Sequence, residues 1–338
     1  MKIENYSINL EKAVNRINKK NIKKAALQIP EGLKSKSIEI VGYIKKNTKC
    51  DFFISADPCY GACDIPENRF KKLGIELIIH IGHTEIPDLS EGLIDIIFVN
   101  AELDVDISSK IDKAIKLLKG KKIGLLTTAQ HLHKLDEVKK ILKKNNFDVK
   151  ISKGDSRISF PGQILGCNFS SATKIKKQVD SFLFIGSGTF HPLGVLINTK
   201  KPVIAFDPYT NQVKEKELQD LKDSILRQRY GAIAKSKDAK TFGILIGTKK
   251  GQKRVDLSHK IKDLLDENNK KSYFITLDFF SSQSLEGFID IDCYVLTACP
   301  RIAVDDYLSY KRPIITPIEL EIMLGKKKWD EYKLDEIF

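Results

Sequence analysis

The sequence contains no uninterrupted apolar stretch approaching 18 residues, so nothing in it is expected to cross a membrane as a helix. Its first residues, MKIENYSINLEKAVNR, lack the apolar core of a signal peptide, and a cytoplasmic protein is expected. Long Pro/Gly/Ser tracts and single-residue runs are missing, which argues against disorder. Arginine is scarce at 8 residues, against 49 lysines. No aromatic-interleaved RNA-binding motif appears, and direct nucleic-acid readout is not expected. What remains is a chain of 338 residues, 42% hydrophobic and 30% charged, the composition of a globular protein of two or three domains.

The formal net charge is +13, and it is unevenly spread. Residues 104–238 carry 26 basic and 14 acidic side chains, whereas 1–103 carry 15 and 14 and 239–338 carry 16 and 16. Many of the lysines fall on the outer faces of amphipathic helices. In 138–144, Val138, Ile141 and Leu142 are expected to face a core while the lysines face water. A solvated lysine coat is one reading of this charge; a docking surface for an acidic partner is the other.

Self-comparison reveals a recurring order of segments. A short apolar strand ending in small or polar residues occurs at 25–32, 123–130 and 242–248, followed by helical periodicity near 35–47, 134–145 and 256–269. Second strands are expected at 50–55, 147–152 and 272–277, third strands at 77–82, 181–186 and 293–298, and fourth strands at 96–99, 202–206 and 313–316. Continuous apolar strands alternating with helices predict parallel sheets covered on both faces. The expected fold is α/β, with three related Rossmann-like units at 1–105, 106–238 and 239–338. A long charged helix near 212–235 would link the second to the third. Ligands in such sheets bind beyond the carboxyl ends of the strands. Those ends carry Pro30-Glu31-Gly32, Asp57-Pro58-Cys59, Gly82-His83, Gln130-His131, Gly186-Ser187-Gly188, Asp207-Pro208 and Cys299-Pro300.

The six cysteines match no zinc ribbon or finger spacing. Cys50 and Cys293 begin strands and read as small buried hydrophobes. Cys59, Cys167 and Cys299 lie in loops, one per unit, each beside glycine or proline. They are either unrelated loop thiols or three thiolates of one soft metal centre with an open position, as a 4Fe–4S cluster with a non-protein fourth ligand requires. Cys59-x-x-x-Cys63 is half of the compact radical S-adenosylmethionine motif, but Pro66 replaces its third cysteine.

Five motifs carry a resemblance: Leu27-Gln-Ile-Pro-Glu-Gly-Leu33, Asp57-Pro-Cys-Tyr-Gly-Ala-Cys-Asp64, Gly82-His-Thr-Glu85, Gly186-Ser-Gly188 and Thr297-Ala-Cys-Pro-Arg-Ile302. With them the chain resembles the archaeal-type diphthamide synthase subunits, which are 3-amino-3-carboxypropyl transferases. The resemblance implies three α/β domains arranged around a central 4Fe–4S cluster held by Cys59, Cys167 and Cys299. It also implies a homodimer, an electron donor, S-adenosylmethionine as co-substrate, and translation elongation factor 2 as protein substrate. The reduced cluster would cleave the Cγ–S bond, and the resulting radical would add to C2 of a histidine imidazole, the first step of diphthamide formation.

Beside it, Arg301 is a candidate for pairing with the co-substrate carboxylate, or for an ordinary ion pair with Asp305 or Asp306. His83, Gln130 and His191 are candidates for holding substrate or relaying a proton, and His80 reads as a satisfied core residue. Glu31 and Asp57 would orient an ammonium group or cap local turns. Gly186, Ser187 and Gly188 permit close approach to a ribose or carboxylate, or simply tight packing. Three rival readings remain at this stage: a quinolinate synthase-like cluster enzyme, a non-catalytic lysine-rich RNA-binding protein, and a structural zinc protein.

Overall fold

A computed structural model describes residues 1–89 and 92–338. Three largely parallel sheets form its framework. The first contains β1 (Lys24–Gln28), β2 (Asp51–Ile54), β3 (Leu77–Ile81) and β4 (Asp95–Val99), in the order β2-β1-β3-β4. The second contains β5 (Lys122–Thr127), β6 (Asp148–Lys150), β7 (Ser181–Ile185) and β8 (Val203–Asp207), with a short antiparallel edge strand β9 (Gln212–Val213), in the order β9-β8-β7-β5-β6. The third contains β10 (Thr241–Gly247), β11 (Lys271–Leu277), β12 (Cys293–Leu296) and β13 (Ile314–Ile315), in the order β11-β10-β12-β13. In every sheet the second strand pairs outside the first and the third pairs on its other side. The gap between first and third strands is thus where the chain changes direction across the sheet, and ligands bind at such points.

The central strands are apolar without alternation, as strands buried on both faces must be. Every residue of β3, β7, β8 and β12 is buried. Edge strands β2 and β11 are mostly exposed. Helix α1 (Leu135–Lys144) buries Leu135, Val138 and Leu142, with Ile141 half-buried and Lys140, Lys143 and Lys144 in water.

The chain divides into two compact units. One comprises Met1–Ile164, Ser170–Gly188 and Pro202–Lys214, and holds the first two sheets; the other comprises Leu165–Phe169, Thr189–Lys201 and Glu215–Phe338, and holds the third. The long helix starts later than its charge pattern suggested: Gln212 and Val213 pair with β8, and α2 runs from Lys216 to Ser236. It packs on α3 (Phe190–Thr199), on β13 and on α4 (Pro317–Met323), and so belongs with the third sheet. No described helix is long and apolar enough to cross a membrane.

Candidate functional site

In the first unit, the carboxyl ends of β1 and β3 bring three polar side chains together. Gln28 and His80 are register partners on these strands, and both are buried. Gln28 Nε2 donates to the Asp64 carbonyl oxygen at 2.7 Å, which leaves its Oε1 facing His80 Nδ1 at 2.9 Å. A carbonyl oxygen only accepts, so the amide orientation follows, and with it the proton on His80 Nδ1. His80 Nε2 is then the acceptor for His83 Nδ1, 2.9 Å away. Burial holds His80 well below its ordinary pKa, with His83 adding to it, and pushes His83 down to about 4. Both rings are neutral near pH 7.

Cys59 belongs to the same cluster. One nitrogen from each of His80 and His83 and the Cys59 sulfur all lie within 4.8 Å of one another. Its loop is tied down by Asp64, whose carboxylate accepts from the Tyr60 N–H at 3.2 Å while its carbonyl holds Gln28. Burial, then the nearby Asp64 carboxylate, pushes the Cys59 thiol up to about 12. Such a sulfur becomes a thiolate only when a cationic centre stabilises it. Cys63 is half-buried.

Gly82, at φ +88°, turns the chain between His80 and His83; a Cβ there would meet the Pro30 ring at 3.0 Å. Gln130 reaches the same turn: its Nε2 donates to Gly82 O at 3.3 Å, and its Oε1 accepts from Thr128 Oγ1 at 2.7 Å. Gln130 therefore touches the residue that precedes His83. Ser187 donates to Asp207 Oδ1 at 3.0 Å, between glycines at φ +154° and +79°. Glu31 pairs with Lys34, and Asp57 with Arg69; both carboxylates are more than half exposed.

The second unit holds Cys167 and Cys299. Gly166 lets the Cys167 loop come close to the residues after Cys299, since a Cβ there would lie 3.3 Å from Phe190 and 3.4 Å from Arg301 Cδ. The Arg301 guanidinium stacks 3.8 Å above the Phe190 ring and pairs with Asp305 at 2.6 Å. His191 follows in α3, its ring edge-on to Phe190.

The C-terminal tail, which no motif in the sequence marks, joins the two cysteine loops. Ile337 N donates to Cys167 O at 2.8 Å, Glu336 accepts from Phe169 N at 2.7 Å, and Asn198 Nδ2 donates to Leu334 O and Glu336. Arg254 pairs with Asp335 and donates to Glu336 O and to Thr297 O, two residues before Cys299. Cys50 and Cys293 are buried, the latter donating to Ser236, in keeping with the core role expected of them.

A family model for diphthamide synthesis proteins matches residues 29–333. The chain belongs to the diphthamide synthesis protein family. Its curated relatives include the 2-(3-amino-3-carboxypropyl)histidine synthase of Pyrococcus horikoshii, 39% identical, the match covering 93% of this chain and 89% of the relative. The enzyme of the same name from Methanocaldococcus jannaschii is 34% identical, over 98% of this chain and 93% of its own. Among solved structures, Dph2 from Pyrococcus horikoshii, crystallised with a 4Fe–4S cluster, superposes with a TM-score of 0.88 at 37% identity, covering 98% of this chain and 94% of that one. Membership of the diphthamide synthesis family bears out the resemblance carried by the five motifs, the expectation of an enzyme, and a mixed α/β fold with several parallel sheets.

The polar network of the first sheet was only partly legible. His83 stood out as a loop histidine and His80 as a core histidine with its hydrogen bonds met, which it is, whereas Gln28 was hidden inside an apolar run. The usable signal was a glutamine and a histidine at matching positions of two otherwise apolar strands.

Proposed function

We propose that this protein transfers the 3-amino-3-carboxypropyl group of S-adenosylmethionine to C2 of a histidine imidazole in translation elongation factor 2, the first step of diphthamide formation. The observation that carries the reading is the whole-chain likeness, at TM-score 0.88, to a Dph2 crystallised with a 4Fe–4S cluster. The proposed cluster ligands are Cys59, Cys167 and Cys299, in a cytoplasmic homodimer served by an electron donor. The donor chemistry fits: three loop thiols suit a soft iron–sulfur centre, and a thiol pushed up to about 12 is stabilised as thiolate by one. When bound, the cluster supplies the electron that splits the Cγ–S bond.

The chain's own residues bind, orient and exclude water. Gln130 and His83 present hydrogen-bonding groups at one turn, suited to holding a substrate imidazole. Arg301, which lies flat on Phe190 and pairs with Asp305, is the residue proposed to exchange that partner for a substrate carboxylate. Ser187, flanked by Gly186 and Gly188, offers a hydroxyl to a ribose; Glu31 and Asp57 are the carboxylates proposed for the ammonium group, and His191 remains a further candidate for holding substrate. In net balance, the C2–H bond is replaced by a C–C bond, methylthioadenosine leaves, and one proton is released without net oxidation.

The test is anaerobic incubation of the dithionite-reduced protein with S-adenosylmethionine and the elongation factor. Methylthioadenosine and an equimolar mass gain on the factor are expected; absence of both overturns the reading. Cys59→Ala, Cys167→Ala and Cys299→Ala are each expected to lose iron and sulfide retention, while Cys293→Ala keeps it. Full iron content in Cys299→Ala refutes the ligand set.

A further inference from the structure

Cys59, His80 and His83 form, among the described residues, a compact set of three soft or borderline donors. Several independent features make it more than a chance grouping. The donor set, one sulfur and two imidazoles, is that of Zn(II), Co(II) and Fe(II) sites with an open fourth position. His80 Nδ1–H is tied to Gln28 Oε1, and Gln28 is itself tied to the backbone at Asp64, so His80 Nε2 carries a lone pair in a fixed direction, one that accepts from His83 Nδ1–H until an ion displaces that proton. A metal-binding histidine is ordinarily oriented in this way, by a partner on its second nitrogen. His80 Nε2 and His83 Nδ1 stand 2.9 Å apart, close to the edge of about 3.3 Å expected for two nitrogens on one tetrahedral ion with bonds of about 2.0–2.1 Å.

We infer that Cys59, His80 and His83 bind a single divalent transition-metal ion in the cluster-free protein, with Gln28 as the positioning residue. Loading moves the His83 proton from Nδ1 to Nε2 and releases one proton from the Cys59 sulfur. The two imidazoles stay neutral. Cys59 is also a proposed cluster ligand, so that part of the inference rests on the proposed function: the single ion and the cluster exclude each other. Zinc bound here then blocks cluster assembly.

The test uses the full-length protein stripped of metal under anaerobic conditions and titrated with CoCl2. Wild type is expected to take up one equivalent, with the visible bands of tetrahedral Co(II) and a thiolate charge-transfer band in the near ultraviolet. His83→Ala is expected to lose the tetrahedral bands and to bind at least about 10-fold more weakly. Gln28→Ala is expected to keep the spectrum and weaken binding about 10-fold. Cys167→Ala and Cys299→Ala should titrate like wild type. His83→Gln, which keeps a polar group for His80, guards against misfolding of the alanine variant, with circular dichroism as the check; it too should lose the bands. An unchanged titration in folded His83→Ala or His83→Gln, or loss of the charge-transfer band in Cys299→Ala, overturns the inference.

A second arm addresses exclusion. One equivalent of ZnCl2 is expected to block anaerobic uptake of iron and sulfide by wild type but not by His83→Ala. Equal uptake with and without zinc in wild type overturns exclusivity. Failure of zinc-free wild type to take up any cluster instead counts against the proposed function and leaves the cobalt result standing.

Discussion

His131 sits 2% exposed within the short 3-10 helix Ala129–Lys134 that follows β5, with its Nδ1 lacking a hydrogen-bond partner. Burial pushes its pKa down to about 4, against 6.5 for the free side chain. Between these values the unfolded chain binds a proton that the folded one refuses, so stability is intact above pH 6.5 and falls as the pH drops towards 4. The loss is on the order of 3 kcal/mol for this ring. His80 and His83, also held neutral by burial, add in the same direction. Urea unfolding of His131→Leu at pH 7.5, 6 and 5 should show a shallower decline than wild type; parallel declines would remove His131 from the account. At this scale the sequence exposed the loop residues well. His83 and Gln130 were visible because polar residues after an apolar strand have no packing role there. His80 was read as a core residue with its hydrogen bonds met, and it is one, but its partner Gln28 was not visible, because their pairing depends on strand register, which a linear reading does not supply.

Helices and strands are held together at one point by an ion pair of two fully buried side chains. Arg229 of α2 meets Glu319 of α4 in a bidentate pair at 2.8 and 2.6 Å. The guanidinium also donates to Ile314 O on β13 and to Ala303 O, in the short helix Arg301–Asp305 that follows Cys299. Glu319 in turn accepts from Thr316 N and the Tyr332 hydroxyl. Arg229→Ala leaves Glu319 charged and unpaired, and a loss of about 3–5 kcal/mol is expected in chemical denaturation. A loss below about 1 kcal/mol would show that water replaces the pair. The elements themselves were legible, since continuous apolar strands and 3.6-residue periodicity are local signals. The start of α2 was not: Gln212 and Val213 have a helix-compatible composition, but pairing with β8 competes for their backbone.

Across the whole molecule, the excess positive charge lies on solvent-facing lysines such as those of α1, where Lys140, Lys143 and Lys144 are exposed and Lys139 is half-buried. If the proposed protein substrate docks here, reversing Lys139, Lys140, Lys143 and Lys144 to Glu should raise the apparent KM for the elongation factor at low salt. The difference should shrink as salt screens it. An unchanged KM assigns these lysines to solvation alone. Docking without direct nucleic-acid binding is the expectation. Charge of this kind sets association and solubility and has no bearing on which sheets form.

The amino-acid sequence by itself determined the alternation of strands and helices, the clustering of unusual residues at strand ends and, through five motifs, the family. These are consequences of local hydrophobic period and short-range spacing. Only the tertiary structure decided that α2 and residues 165–169 belong with the third sheet, that the tail 334–337 binds the Cys167 loop, and that Gln28, His80 and His83 form one chain of hydrogen bonds ending beside Cys59. Each of these is a contact between residues distant in the chain or on different strands. Their geometry is set by sheet register and by how buried polar groups find their partners, and neither is written in neighbouring residues.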